Sequence, residues 1–270
     1  MSGTSQTSAA EAQRDLEPRL ERASGAMAGD LFAVVDLLDS SAGLRRALTD
    51  PSREAAQKSQ LMRRLLAGKV GTDVEELAAR AAGDRWSDPR DLVDALEELA
   101  TTVVAADAEN SDGKAGLDRL ENDLFWFTQV VEGRHDVQRA FDEAQASPDA
   151  KSHLALRLVP GISPQAQQLV DRAVRAPRGL KPAALVERFL RRVAARQQRW
   201  IAEVAVSRPL TDDQFQRLQQ GLNRLYGRDL KVTVRQDPEL LGGLRVSVGD
   251  EVVDASVLSR LHELQRRLAG

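Results

Sequence analysis

The chain has 270 residues, 42% of them hydrophobic and 29% charged, enough for a sizeable core and longer than the commonest single domain, so two or three domains are expected. A formal net charge of −3 withholds the positive field that nonspecific nucleic-acid binding needs, and the absence of cysteine excludes disulfides, thiolate chemistry and Cys-containing zinc sites. No stretch approaches the roughly 18 consecutive apolar residues of a membrane span, and the opening MSGTSQTSAAEAQRD lacks a signal-peptide pattern, so a cytosolic or peripheral protein is expected.

Residues from Met1 to about Ala10 are small and polar and are expected to form a flexible tail. Helical periodicity then dominates to about residue 200. Leu31, Val34, Val35 and Leu38 recur at helical spacing, as do Leu92, Leu96 and Leu99, and later Leu185, Phe189, Val193 and Trp200. Breaks are expected at Asp50-Pro51, Gly68, Gly71, Pro89, the polar stretch Asn110 to Gly113, Ser147-Pro148, Pro160-Gly161 and Pro177 to Pro182.

A repeat runs through this helical region. LFAVVDLLDSSAGLRRALTD, from Leu31, aligns with LFWFTQVVEGRHDVQRAFDE, from Leu124, at a shift of 93 (124 − 31). The same shift carries Lys58-Ser59 onto Lys151-Ser152, Leu61 onto Leu154, Arg64-Leu65 onto Arg157-Leu158, Gly68 onto Gly161 and Leu92-Val93 onto Leu185-Val186. A duplicated helical domain is expected, with composition alone as the competing explanation.

Near residue 200 the period changes from helical to alternating. Ile201 to Ser207, Leu230 to Gln236, Leu240 to Gly249 and Glu251 to Asp254 read as strands. Between the first two, a Thr211-x-x-Gln214 capping box opens a helix that places Phe215, Leu218, Leu222 and Leu225 on one face and stops at Gly227. A last helix is expected from Ser256 to about Leu268. The fold class is mainly α, a duplicated helical-bundle region followed by a small α+β domain, with boundaries at 1–110, 111–200 and 201–270.

Patterns that carry chemistry are weak throughout. Gly242, Gly243 and Gly249 do not make G-x-G-x-x-G, and their strand enters a turn, not a helix. Gly242-Gly243 reads as a bulge or close backbone approach and Gly249-Asp250 as a tight turn. Gly68-Lys69 lacks the following Ser or Thr of a phosphate loop and reads as a helix end. Ser247 lacks the first glycine of a nucleophile elbow, and His135, His153 and His262 are too widely spaced for a metal site. No catalytic, cofactor-binding or metal-binding residue is expected. Asp171 to Trp200 holds nine basic residues against two acidic ones. With no stacking aromatics beside them, a solvated face or a dock for an acidic helix is favoured over a nucleic-acid strip.

The C-terminal run carries a specific resemblance. Pro209-Leu210, Gly227, Asp237-Pro238, Leu240, Gly242-Gly243, Gly249-Asp250, Val252, Asp254 and Ser256 are similar to the pattern near the C-terminus of the delta subunit family of bacterial F-type ATP synthases, relatives of the mitochondrial oligomycin-sensitivity-conferring protein. Upstream, LRRALTDPSREAAQKSQLMRRLLAGKV resembles the family's helical domain, and Asp84-Arg85-Trp86 stands where that domain usually has Gly-Arg. The second helical copy departs from the family's usual length. The resemblance implies a non-catalytic stator that grips alpha subunit N-termini of the catalytic head and binds the C-terminus of the peripheral-stalk b subunit. It implies no cofactor, no nucleic acid and no direct membrane insertion, and a place on the cytoplasmic side of the plasma membrane. Pro209, Leu210, Asp237, Pro238, Gly242, Gly243, Gly249, Asp250, Asp254 and Ser256 are expected to shape the stalk-docking module. The alternative function is a nucleic-acid-binding adaptor using the strip from Arg172 to Arg199; a hydrolase ranks third.

Overall fold

The computed structural model describes residues 3–197, 201–227, 230–237, 240, 243–248 and 251–254, the last four through their backbone. The chain divides into two compact units, Met1–Val193 and Ala194–Gly270.

The first unit is helical: α1 Gly3–Leu16, a 3-10 turn Glu17–Arg22, α2 Gly25–Asp39, α3 Ala42–Thr49, α4 Ala55–Leu66, α5 Thr72–Gly83, α6 Pro89–Glu132, α7 His135–Asp142, α8 Pro148–Leu158, α9 Pro164–Arg175 and α10 Pro182–Gln197, which runs past the unit boundary. Local chemistry sets these starts. Side-chain oxygens of Ser24, Ser41, Asp88, Ser147 and Ser163 each accept a hydrogen bond from a first-turn backbone N–H. Pro89, Pro148 and Pro164 follow their caps directly, where a missing N–H costs nothing.

The duplication is visible helix by helix. Ala42 and His135 open α3 and α7 and lie 93 residues apart; Ala55 and Pro148, and Pro89 and Pro182, show the same interval, and Thr72 and Pro164 lie 92 apart. Helix α6 breaks at Asp112 (φ −149°, ψ 27°) and Gly113 (φ 56°, ψ −138°), within the expected polar stretch. Its second arm ends at Glu132, 93 residues after Asp39 ends α2. The first arm is therefore common to both copies. It closes the first copy beside α2, and it opens the second as the counterpart of α1. Helix α1 packs on α5 and α6, and correspondingly the first arm packs on α9.

Leu31, Val35, Leu38, Leu92, Leu96 and Leu99 fill the first copy, and Leu124, Phe127, Val131, Leu185, Val186 and Phe189 the second. Each such side chain contributes about 1.5–3 kcal/mol by leaving water. The expected flexible tail is corrected here, since residues 3–16 form α1. Ser5, Ser8, Ala12 and Leu16 are buried, Ser8 Oγ donates to the Arg85 carbonyl at 2.7 Å, and Ser5 Oγ accepts from Ser87 N at 2.9 Å. Small side chains let this helix lie close to its neighbours.

The second unit holds β1 Ile201–Val206, α11 Asp212–Tyr226, β2 Lys231–Gln236, β3 Leu244–Val248 and β4 Glu251–Asp254, in sheet order β2-β1-β3-β4. Strands β1 and β2 run parallel, joined through α11, while β1–β3 and β3–β4 are antiparallel. Ala202, Val204, Val206, Val246 and Val248 pack with Leu222 of α11. Both bonds of the Thr211–Gln214 capping box form, and Gly227 ends the helix at φ 65°. Two expectations change. Strand β3 starts at Leu244, not Leu240, after Gly243 at φ 82°. Leu225 is 70% exposed, and Tyr226 completes the packed row with Leu218 and Leu222. The helix expected from Ser256 lies outside the described residues.

Candidate functional site

Among the described signature residues, Pro209, Leu210, Asp237, Gly243 and Asp254 gather at one end of the sheet. Val206 pairs with Gln236 on one side and Leu244 on the other, so the segments holding Pro209-Leu210, Asp237 and Gly243 all leave the sheet at that edge. Asp254 pairs with Arg245 there too. Asp237 N donates to the Val206 carbonyl at 2.9 Å and its carbonyl accepts from Leu240 N at 3.2 Å, tying these segments together. Arg235 stands 3.6 Å from the Asp237 carboxylate, Leu210 packs against the apolar core, and Pro209 is exposed. Pro238, Gly242, Gly249, Asp250 and Ser256 lie outside the described residues.

The basic strip has a different character from its sequence. Arg172 on α9 and Arg178 in the loop before α10 are 6% and 8% exposed. Arg172 lies 2.5 Å from Asp36 and 3.6 Å from Glu97, and its guanidinium sits over the Phe32 ring at 5.0 Å. Arg178 reaches Asp94 at 2.6 Å, Glu97 at 3.0 Å and Asp39 at 3.7 Å. Burial pushes the Arg178 pKa down, but the Glu97 and Asp94 charges outweigh it and raise it overall. Arg178 also has φ 53°, an uncommon left-handed conformation for a side chain of this size. Arg175 pairs with Asp149 and Asp171, and Arg188 and Arg192 pair with Glu98. Arg172 and Arg178 hold the second helical copy to the first, whereas Arg175 is paired within the second copy; Arg199 lies outside the described residues.

A second polar cluster lies where α1 meets the end of α5. Lys58, 3% exposed, donates from Nζ to the Asp84 carbonyl at 2.6 Å. Its pKa is lowered, chiefly by burial. The Asp84 carboxyl is pushed up to about 6 by burial and then by the neighbouring Glu11 and Asp15 charges. Among the described residues no three His, Asp or Glu side chains stand close enough to hold a metal ion, and no helix is long and apolar enough to cross a membrane.

Sequence reasoning missed the buried Arg–Glu network because its partners are 75 to 139 residues apart. The doubling itself leaves open whether the two copies pack together. Sequence reasoning also made nothing of Phe125 and Trp126, which are 55% and 42% accessible.

Comparison with known proteins converges on one family. The family model described as ATP synthase delta (OSCP) subunit matches residues 99–268, from the first arm of α6 through the second helical copy and the α+β unit. Over 100% of both chains, the sequence is 56% identical to the ATP synthase subunit delta of Pseudarthrobacter chlorophenolicus and 55% identical to that of Renibacterium salmoninarum. The ATP synthase subunit delta of Streptomyces coelicolor is 37% identical over 100% of this chain and 99% of its own.

Proposed function

The chain belongs to the ATP synthase delta (OSCP) subunit family, and from that membership we propose that it is a stator subunit linking the catalytic head to the peripheral stalk. In this reading the helical copies, residues 1–110 and 111–200, hold N-terminal segments of alpha subunits. The α+β unit, residues 201–270, binds the end of the b subunit. The chain transmits torque resistance and performs no bond chemistry, so that proton-driven rotation is coupled to ATP synthesis on the cytoplasmic side of the plasma membrane.

The observation that carries the proposal is the continuity of the family match through one helical copy and the α+β unit. Both halves needed for a link between two partners are then present in one chain. A stator also needs stiffness. The buried ion network around Glu97 and the shared first arm of α6 join the helical copies without a flexible linker. The docking module comprises Pro209, Leu210, Asp237, Pro238, Gly242, Gly243, Gly249, Asp250, Asp254 and Ser256, and grips an amphipathic segment through shape and backbone geometry.

A pull-down of the tagged chain from detergent-solubilised membranes of its source tests this, with mass spectrometry of the co-purifying proteins. ATP synthase alpha, beta and b subunits are expected together. Recovery of nucleic acid or unrelated proteins with those subunits absent would overturn the reading. Titrating an alpha N-terminal peptide by calorimetry tests whether both helical copies are used: two sites are expected, and a single site would restrict head binding to one copy.

A further inference from the structure

In the first helical copy, one face is covered by the second. Phe32 is 6% exposed beneath the Arg172 guanidinium, and Asp39 and Asp94 are bridged by Arg178. The counterparts 93 residues on are Phe125, Glu132 and Glu187. Asp36 and Glu97, the carboxylates that face Arg172, are matched by Gln129 and Leu190, whereas the aromatic ring and the positions of Asp39 and Asp94, which Arg178 bridges, recur in the second copy. Their surroundings do not: Phe125 is 55% exposed, Glu132 and Glu187 are exposed, and neither carboxylate meets a cation among the described residues. An open groove is lined by Val131, Glu132, Phe141, Asp142, Lys181 and Glu187, and Phe125 lies about two helical turns before Glu132 on the same helix.

We propose that this face of the second copy docks an arginine-bearing segment of the catalytic head, its guanidinium bridging Glu132 and Glu187 as Arg178 bridges Asp39 and Asp94 on the first copy. The inference rests on the reading that the chain binds the head. Three carboxylates (Glu132, Asp142 and Glu187) against the single ammonium of Lys181 favour a cation. Arginine fits better than lysine, because its planar guanidinium stacks on an aromatic ring and bridges two carboxylates at once. A second molecule of this chain is a poor occupant. The arginines that would complement the face are already buried in its own first copy. In a stack of repeats each unit covers the face of the one before, so the last face needs either a polar cap or a partner. Exposed Phe125 and Trp126 make this face unlike a polar cap.

The test is titration of the wild-type chain, and of Glu132→Lys/Glu187→Lys, onto the alpha–beta head stripped of this subunit, with Asp213→Lys, in the other compact unit, as a control charge reversal. The proposal expects wild type to bind, the double variant to bind at least about tenfold more weakly and with a shallower salt dependence, and Asp213→Lys to match wild type. Wild-type binding with an unchanged double variant would overturn the face as the docking site and leave the stator reading standing. Failure of wild type to bind would overturn both. Because both glutamates are exposed, the double variant is expected to melt with wild type; if it melts early, Phe125→Gln carries the same expectation of weakened binding with every charge kept.

Discussion

Arg45 and Gln138 do the same work in the two helical copies, 93 residues apart. Arg45 Nη1 donates to the carbonyls of Leu38 and Asp39, at 2.8 and 2.5 Å, and Gln138 Nε2 donates to those of Val131 and Glu132, both at 3.0 Å. Each pair of acceptors closes the first long helix of its copy, where helix geometry leaves carbonyls without partners. A second equivalence sits nearby: Asp30 accepts from Gly71 N and Asp123 from Ser163 N, both at 2.7 Å, bracing the start of α5 and of α9.

The paired caps predict unequal and additive losses. Gln138→Ala should cost about 1 kcal/mol and Arg45→Ala about 1.5–3, since hydrogen bonds from a charged donor are stronger. The double variant should show their sum, because the two sites share no partner. Urea unfolding of the three variants measures this, and strong non-additivity would contradict independent capping.

Glu97 is the hub of the contact between copies, 3% exposed and facing both Arg172 and Arg178. Glu97→Leu leaves two buried guanidinium groups short of a counter-charge and should cost about 3–5 kcal/mol. Adding Arg178→Met to that variant should recover part of the loss, since an unpaired buried charge disappears with it. Chemical denaturation of both variants gives the comparison; a further loss in the double variant would contradict the account.

Asp84 gives a pH signature of known sign. Its folded pKa of about 6 lies above the ordinary aspartate value of 3.8, so between those values the folded state binds more protons. The stabilisation from that proton is complete below the unfolded value and fades as pH rises through about 6. Asp84→Asn removes the slope. The variant should therefore gain in melting temperature relative to wild type as pH goes from about 4 to about 7, and parallel pH profiles for the two proteins would refute the assignment.

Gly113 makes the kink in α6 with φ 56° and ψ −138°, a conformation that a side chain resists. Gly113→Ala should destabilise the chain by about 1–3 kcal/mol, whereas Asp112→Ala, at a negative φ, should cost less. Thermal unfolding of the pair separates backbone strain from loss of a side chain.

Much of this architecture was legible because it is written in local patterns. The shift that lays Leu31 under Leu124 predicts matching helices, and the observed boundaries agree to within a residue. The Thr211–Gln214 box and the alternation after Ile201 rest on contacts between near neighbours, and they were read as they stand. Less was legible where burial depends on distant partners. Ser5 and Ser8 look like a solvated tail until Arg85 and Ser87 are brought beside them. Arg172 and Arg178 look like a surface strip until Glu97 is placed between them. Leu225 and Tyr226 are adjacent on α11, and only the position of the sheet decides which of them packs. The sharing of one arm of α6 by both copies has no signature in a pairwise alignment, since it depends on which helices touch. At the sheet edge, the meeting of Asp237 with the end of β1 follows from strand order, which spacing does not specify.

The most direct test of the stator account is to measure ATP hydrolysis and ATP-driven proton pumping side by side in membrane vesicles stripped of this subunit, then after adding the purified chain back. The account predicts that the stripped enzyme still hydrolyses ATP but pumps no protons, and that the added chain restores pumping. Full pumping without the chain, or loss of hydrolysis along with pumping, would contradict it.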